Sequence, residues 1–262
     1  MIRTRTIRRM TSTDWRRLSE QLVDALALTS APIAITFTAQ VPPGIPAFDE
    51  PMSPPTEDGR SGRVLASCVF WTHAATRTFS TVPEDHGNCS VGRVVHGLAT
   101  LDDVAANTDV DALLGAGWVT EAAVTQIPVV RNEPKAIIYG PLHETPLDPD
   151  VVLVRLDGSQ LMVMFDAVPA LRVEGKPQCH IIARAKEHQE LAVSVGCALS
   201  RARTGMATSD MTCAIPASRL HEVVEQVQEA SRVDAVVSDY ALADARRFCD
   251  GNGRRGRPTP LG

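Results

Sequence analysis

The chain of 262 residues carries 26 basic and 31 acidic side chains, a formal charge of -5, with 44% hydrophobic, 22% charged and only 4% aromatic residues. It is long and apolar enough to bury a core without staples, which excludes disorder over most of its length. The acidic balance leaves no global field to draw it to nucleic acid or an anionic membrane.

Basic residues cluster at the ends, Arg3, Arg5, Arg8 and Arg9 at one and Arg254, Arg255 and Arg257 at the other, and read as solvated termini. Thr11, Ser12, Thr13 and Asp14 stand where a signal peptide would place its apolar segment. The longest uncharged run, Ala25 to Phe48, holds Pro32, Pro42, Pro43 and Pro46, so it does not predict a membrane span. A cytoplasmic protein is expected, and in a reducing compartment its six cysteines are expected free, metal-bound or catalytic.

Along the chain, Trp15, Leu18, Leu22 and Ala25 recur at helical spacing behind capping residues and predict a first helix. PIAITFT at 32–38 alternates as a half-buried strand. The Pro- and Gly-rich stretch 41–62 predicts a mobile surface loop able to close over a site.

KAIIY at 135–139, DVVLVRL at 150–156 and ELAVSVG at 190–196 predict strands, the second apolar on both faces and therefore central. SQLMVMFDAV at 159–168 predicts a helix packed on that sheet, its methionines core filler. MTCAIP at 211–216 alternates as a strand. Leu220, Val223, Val224 and Val227 mark a helix face, and DYALADARRFC predicts a separate last helix ending at Gly251. These elements, without a repeat, predict an α/β or α+β fold: a mixed sheet with packed helices in a single globular domain. The expected organisation is an N-terminal arm and first helix over 1–25, the domain over 26–250 and a flexible tail over 251–262.

The cysteines divide by their company. Cys213 shares a strand face with Met211 and Ile215, and Cys249 falls on a helix side with Leu242 and Ala245, so both read as core thiols. Cys68 in SCVFWTHA, Cys89 in GNCSVG, Cys179 in GKPQCHI and Cys197 in SVGCALSR stand in loops or at element ends. There, glycine and free backbone N–H groups favour a thiolate ligand or nucleophile. Their spacing matches neither a zinc knuckle nor a ferredoxin run.

The segments CVFWTHAATRTFSTVPEDHGNCSVGRVVHGLA and GKPQCHIIARAKEHQELAVSVGCALSRARTGMATSDMTCAIPASRLHEVV resemble the uncharacterised prokaryotic family called domain of unknown function 169, over about Leu26 to Val227. The family's marks fall on Cys68 with Trp71, Cys89 with Gly92, Cys179, and Cys197 with Arg201 and Pro216; Cys213 and Cys249 lie outside them. Where the resemblance implies Gly-Asn-Arg followed by Tyr-Thr-Gly, this chain has Leu199, Ser200, Arg201, Arg203, Thr204 and Gly205. An Asn donor and a Tyr hydroxyl are therefore missing from that loop.

Four thiolates on separate loops point to a [4Fe–4S] cluster, with structural zinc as the alternative. If three ligate, the open iron could act as a Lewis acid, as in an iron–sulfur lyase or oxidoreductase. Arg201 and His180 are then candidate catalytic residues, supplying charge and a proton to a small-molecule substrate. His86 and His96 flank Cys89 as reserve ligands. Two other readings stand beside this one: a metal-free enzyme pairing Cys89 with His86 or His96, and a non-catalytic small-molecule or redox sensor. No nucleic-acid or membrane partner is expected, and a homo-oligomer is compatible with the chain. Motifs for nucleotide binding, zinc proteolysis and serine hydrolysis are absent.

Overall fold

The structure, a computed structural model, describes residues 11–49 and 66–250, with side chains through Phe248. The terminal arm up to residue 10, most of the Pro-rich loop (50–65), the tail 251–262 and the Cys249 side chain lie outside the described residues.

The first helix, α1 (Ser12–Leu26), starts on a reciprocal cap: Asp14 N–H donates to the Thr11 hydroxyl and Thr11 N–H donates to the Asp14 carboxylate. Then follow β1 (Ile33–Thr38), α2 (Ser67–Ala74), β2 (Phe79–Thr81), and four short helices, α3 (Ser90–Val95), α4 (Leu101–Val104), α5 (Thr108–Gly115) and α6 (Glu121–Val124). Next come β3 (Ala136–Pro141), β4 (Val151–Leu156), α7 (Gly158–Ala167), β5 (Arg172–Glu174) and α8 (His180–Ala183). The chain closes with β6 (Ala192–Ser194), α9 (Ala198–Thr204), β7 (Met211–Pro216) and α10 (Leu220–Asp250).

The strands form one mixed sheet in the order β2-β3-β1-β4-β7-β6-β5, antiparallel except for the β5–β6 pair. β4 is central, as its two-faced apolar run predicts. Val152 and Val154 face a core with Trp15, Leu18 and Leu22 of α1, Met164 of α7, and Val223 and Val227 of α10. Val151 and Leu153 face a second core with Phe70 and Trp71 of α2, Val95 of α3 and Ile181 of α8. The molecule is thus a single α/β domain, a sheet between two helical layers, and the second layer carries the cysteine-bearing loops.

Three elements differ from expectation. The strand predicted over 190–196 spans only Ala192–Ser194, because Val195 is exposed and Gly196 turns the chain at φ +85°. The two helices predicted near the C-terminus are one 31-residue helix, since neither Gly nor Pro interrupts 220–250. Its outer half is not core: Leu242, which the sequence places on one side with Cys249, is 57% exposed. Among the described residues no helix is long and apolar enough to cross a membrane.

Candidate cysteine centre

Each motif cysteine stands at the start of a helix on the second layer. Cys68 is the second residue of α2, and Cys89, Cys179 and Cys197 occupy the N-cap positions of α3, α8 and α9. Backbone N–H groups unpaired within a helix start can turn to sulfur: Ser200 N–H donates to Cys197 Sγ at 3.3 Å, while Ser200 Oγ accepts from Cys197 N–H at 3.1 Å. Gly92 lies beside Cys89, where a Cβ would stand in ordinary contact with its sulfur at 3.5 Å.

These four residues, separated by up to 129 positions (197 − 68), line one cavity of about 30 Å³ together with Trp71, Trp118 and Arg203. That is room for roughly a water or two. Their charges sense one another. Burial first, then negative charge at Cys89 and Cys197, pushes the Cys68 thiol up to about 12 against the opposing charge of Arg203. Cys179 is held well above its ordinary range by burial first, then by Cys89, Cys197 and Cys68. Burial raises Cys89 too, with the Gly92 backbone and Arg203 pulling it back.

Without a compensating cation the raised thiols stay protonated at neutral pH. A bound metal centre inverts that preference, because coordination deprotonates a thiol outright. The donor set, four soft thiols with one guanidinium as counter-charge, fits a thiolate-bound metal centre. A zinc at 2.3 Å from each sulfur would draw the four to roughly 3.8 Å from one another, and no three His, Cys, Asp or Glu of the described residues converge to hold a single ion. A cavity with room for roughly a water or two would have to widen to admit a multi-iron cube.

Cys213 stands apart: it is fully buried on β7, and burial alone raises its thiol to about 12. Arg201 does not line the cavity. Its guanidinium donates to the carbonyls of Val195, Ala207 and Asp210, a clasp that closes the loop on either side of α9. His180, next to Cys179, is half-buried outside the cavity lining, with Nε2 unpartnered and its pKa pushed down to about 4. Burial is the main cause, Arg184 adds to it and Glu174 opposes it.

His86 and His96 lie beneath the site rather than in it. Both are buried, and the Ser67 hydroxyl meets His86 Nδ1 at 3.0 Å and His96 Nδ1 at 2.8 Å, while Thr81 holds His86 Nε2 at 2.9 Å. One hydroxyl proton cannot serve two rings, so at least one ring carries its proton on Nδ1. The network anchors Ser67, the residue before Cys68.

Sequence reasoning passed over Arg203 and Trp118 as members of the site. Arg203 Nη2 donates to the Asn88 carbonyl at 2.8 Å, tying α9 to the Cys89 loop. Its neighbour Arg201 carries the stronger motif, and only the helical turn between them shows which one faces the thiols. Trp118 arrives from the α5–α6 connection, which shows no pattern linking it to any cysteine.

One protein family, described as Uncharacterised ArCR and designated DUF169, matches residues 21–226, a span that includes all four cavity cysteines. No curated protein and no solved structure matches the chain.

Proposed function

The chain belongs to the DUF169 family, and we propose that it holds a [4Fe–4S] cluster through Cys68, Cys89, Cys179 and Cys197 and offers it to a small molecule. One observation carries this reading: four cysteines from four separate helix starts line a single cavity, while Cys213 is packed in the opposite core. Such a cluster supplies an electron or, with three protein ligands, an open iron acting as a Lewis acid.

The chain's own residues would hold and tune the site. Arg203 offsets negative charge at Cys68 and Cys89. Trp71 and Trp118 wall the cavity and limit water. Arg201 sets the turn that delivers Cys197, a positioning role. The pairing of Cys89 with a histidine has less support, because His86 is committed to Ser67 and Thr81, and neither His86 nor His96 lines the cavity.

The test is iron, acid-labile sulfide and zinc per chain on protein purified without oxygen. About four iron and four sulfide per chain are expected. Replacing any of the four cavity cysteines by Ser should strip the centre, and Cys213→Ser should keep it. Zinc near one per chain, or no metal in the wild type, overturns the proposal.

A further inference from the structure

A larger cavity, of about 400 Å³, opens beside the cysteine centre among α3, α4, α5 and α6. It meets the cysteine cavity at a common wall of Val91, Trp118 and Pro177. Two properties of its lining define what it can hold.

The first is an apolar surface that the chain itself does not pack. Val110, Leu113 and Leu114 stand at i, i+3 and i+4 on α5 and all line the cavity, as does Val124 of α6. Yet neither α5 nor α6 contains a buried residue. Helices of eight and four residues are too short to persist on their own hydrogen bonds and take their stability from a packed apolar face. A molecule lying in the cavity would supply that packing.

The second property is charge. Residues 94–130, which form most of the wall, include Asp102, Asp103, Asp109, Asp111 and Glu121 but neither Lys nor Arg. Asp103 and Asp109 are engaged with Thr100 and Ser90, whereas Glu121 lines the cavity. Lys176 lies over the Trp118 ring, 4.8 Å from its centroid, but does not line the cavity. An anion would therefore lose its hydration in an apolar space beside an acidic rim. A cation would lose its hydration with only the exposed Glu121 to receive it.

We propose that this cavity binds an uncharged apolar molecule, lying along Val110, Leu113 and Leu114 with one end against Trp118, the wall shared with the cysteine centre. A cavity of roughly 150 Å³ admits benzene, so one of about 400 Å³ admits a body of roughly sixteen carbons. As a subsite for the molecule on which the cluster acts it rests on the cluster reading; as a binding site it does not.

The test titrates N-phenyl-1-naphthylamine, an uncharged fluorescent probe of that size, into the full chain purified without oxygen, and then displaces it with 1-decanol or with decanoate. The two competitors share one carbon chain and differ in charge. The probe should brighten saturably, and decanol should displace it at a concentration roughly tenfold lower than decanoate. Glu121→Lys should narrow that preference severalfold with the probe's own affinity unchanged, a shift that misfolding does not produce. Ala105→Phe, at an exposed lining position, should fill the cavity and abolish probe binding with the urea midpoint kept. Absence of saturable probe binding, equal displacement by the two competitors, an unchanged preference in Glu121→Lys, or full probe binding by Ala105→Phe overturns the proposal. Iron and sulfide are measured on the same sample. Probe binding with the expected preference on a chain without iron leaves the cavity standing and removes the cluster, and iron without probe binding does the reverse.

Discussion

Cys68 and Cys213 share a thiol pushed up to about 12, for different reasons. Cys213 owes it to burial alone, whereas Cys68 adds repulsion from two neighbouring sulfurs, the part that a metal centre converts into attraction. Ligation must release the protons of the raised thiols, so retention of the centre should weaken as pH falls, measured as iron released to a chelator at pH 6 against pH 8. Histidine sets a separate dependence. Burial lowers His86 well below 6.5 and His96 to about 4. As pH falls through 6.5 the unfolded chain takes up protons that the folded chain refuses, in the case of His96 until about 4, so stability is full above 6.5 and declines as the pH falls below it. Each such histidine contributes a slope of up to about 1.4 kcal/mol per pH unit. Urea midpoints between pH 7.5 and 4.5 should show the decline, and a flat profile contradicts neutral burial. At this scale the sequence was most legible: a place in a loop or at the end of an element separated the four cavity cysteines from Cys213, which alternates along a strand. It did not reveal that Arg203 rather than Arg201 faces them, since both lie on one helix and only packing tells its sides apart.

The α9 start shows how one turn supports the site. Gly196 adopts φ +85°, and a Cβ there would also approach Arg201 Nε to 3.1 Å, disturbing the guanidinium that holds Val195, Ala207 and Asp210. Gly44 has a similar φ of +86° with open space around it. Gly44→Ala should therefore cost only the backbone strain, about 1 kcal/mol. Gly196→Ala should cost about 2 kcal/mol or more by urea denaturation and reduce bound iron. Equal losses would show that the Arg201 clasp carries no weight. Elements with a strong apolar pattern were legible, β4 from its unbroken apolar run and α7 from its short Met-rich run between strands. The helices between 90 and 124 were not, being four to eight residues long, too short for a 3.6-residue period to repeat. The unity of α10 was missed: the face from Leu220 to Val227 and DYALADARRFC were read as separate helices, although neither Gly nor Pro stands between them.

Across the whole molecule, stability is unevenly spread. The first part of α10, from Leu220 to Val227, is buried against α1 and α7, while Val236, Val237, Tyr240 and Phe248 are 59–67% exposed. Amide hydrogen exchange should be slowest over 220–230 and faster by orders of magnitude beyond 235. Uniform protection along the helix would show that its outer half is covered. The fold class was legible from the mixture of patterns, but the strand order was not, because no local signal states that β7 inserts between β4 and β6.

That insertion has a consequence for when the site can exist. β6 joins the sheet only through β7 and its edge neighbour β5, and Cys179 and Cys197 lie on either side of β6. While the ribosome is still making the chain, the segment bearing these two cysteines has no strand to dock on until Met211–Pro216 has been synthesised and has left the exit tunnel. Cys68 and Cys89 emerge much earlier and must wait with their thiols unmatched. On the proposed cluster reading, iron enters only after β7 has docked, and a nascent chain stalled before residue 211 should acquire none.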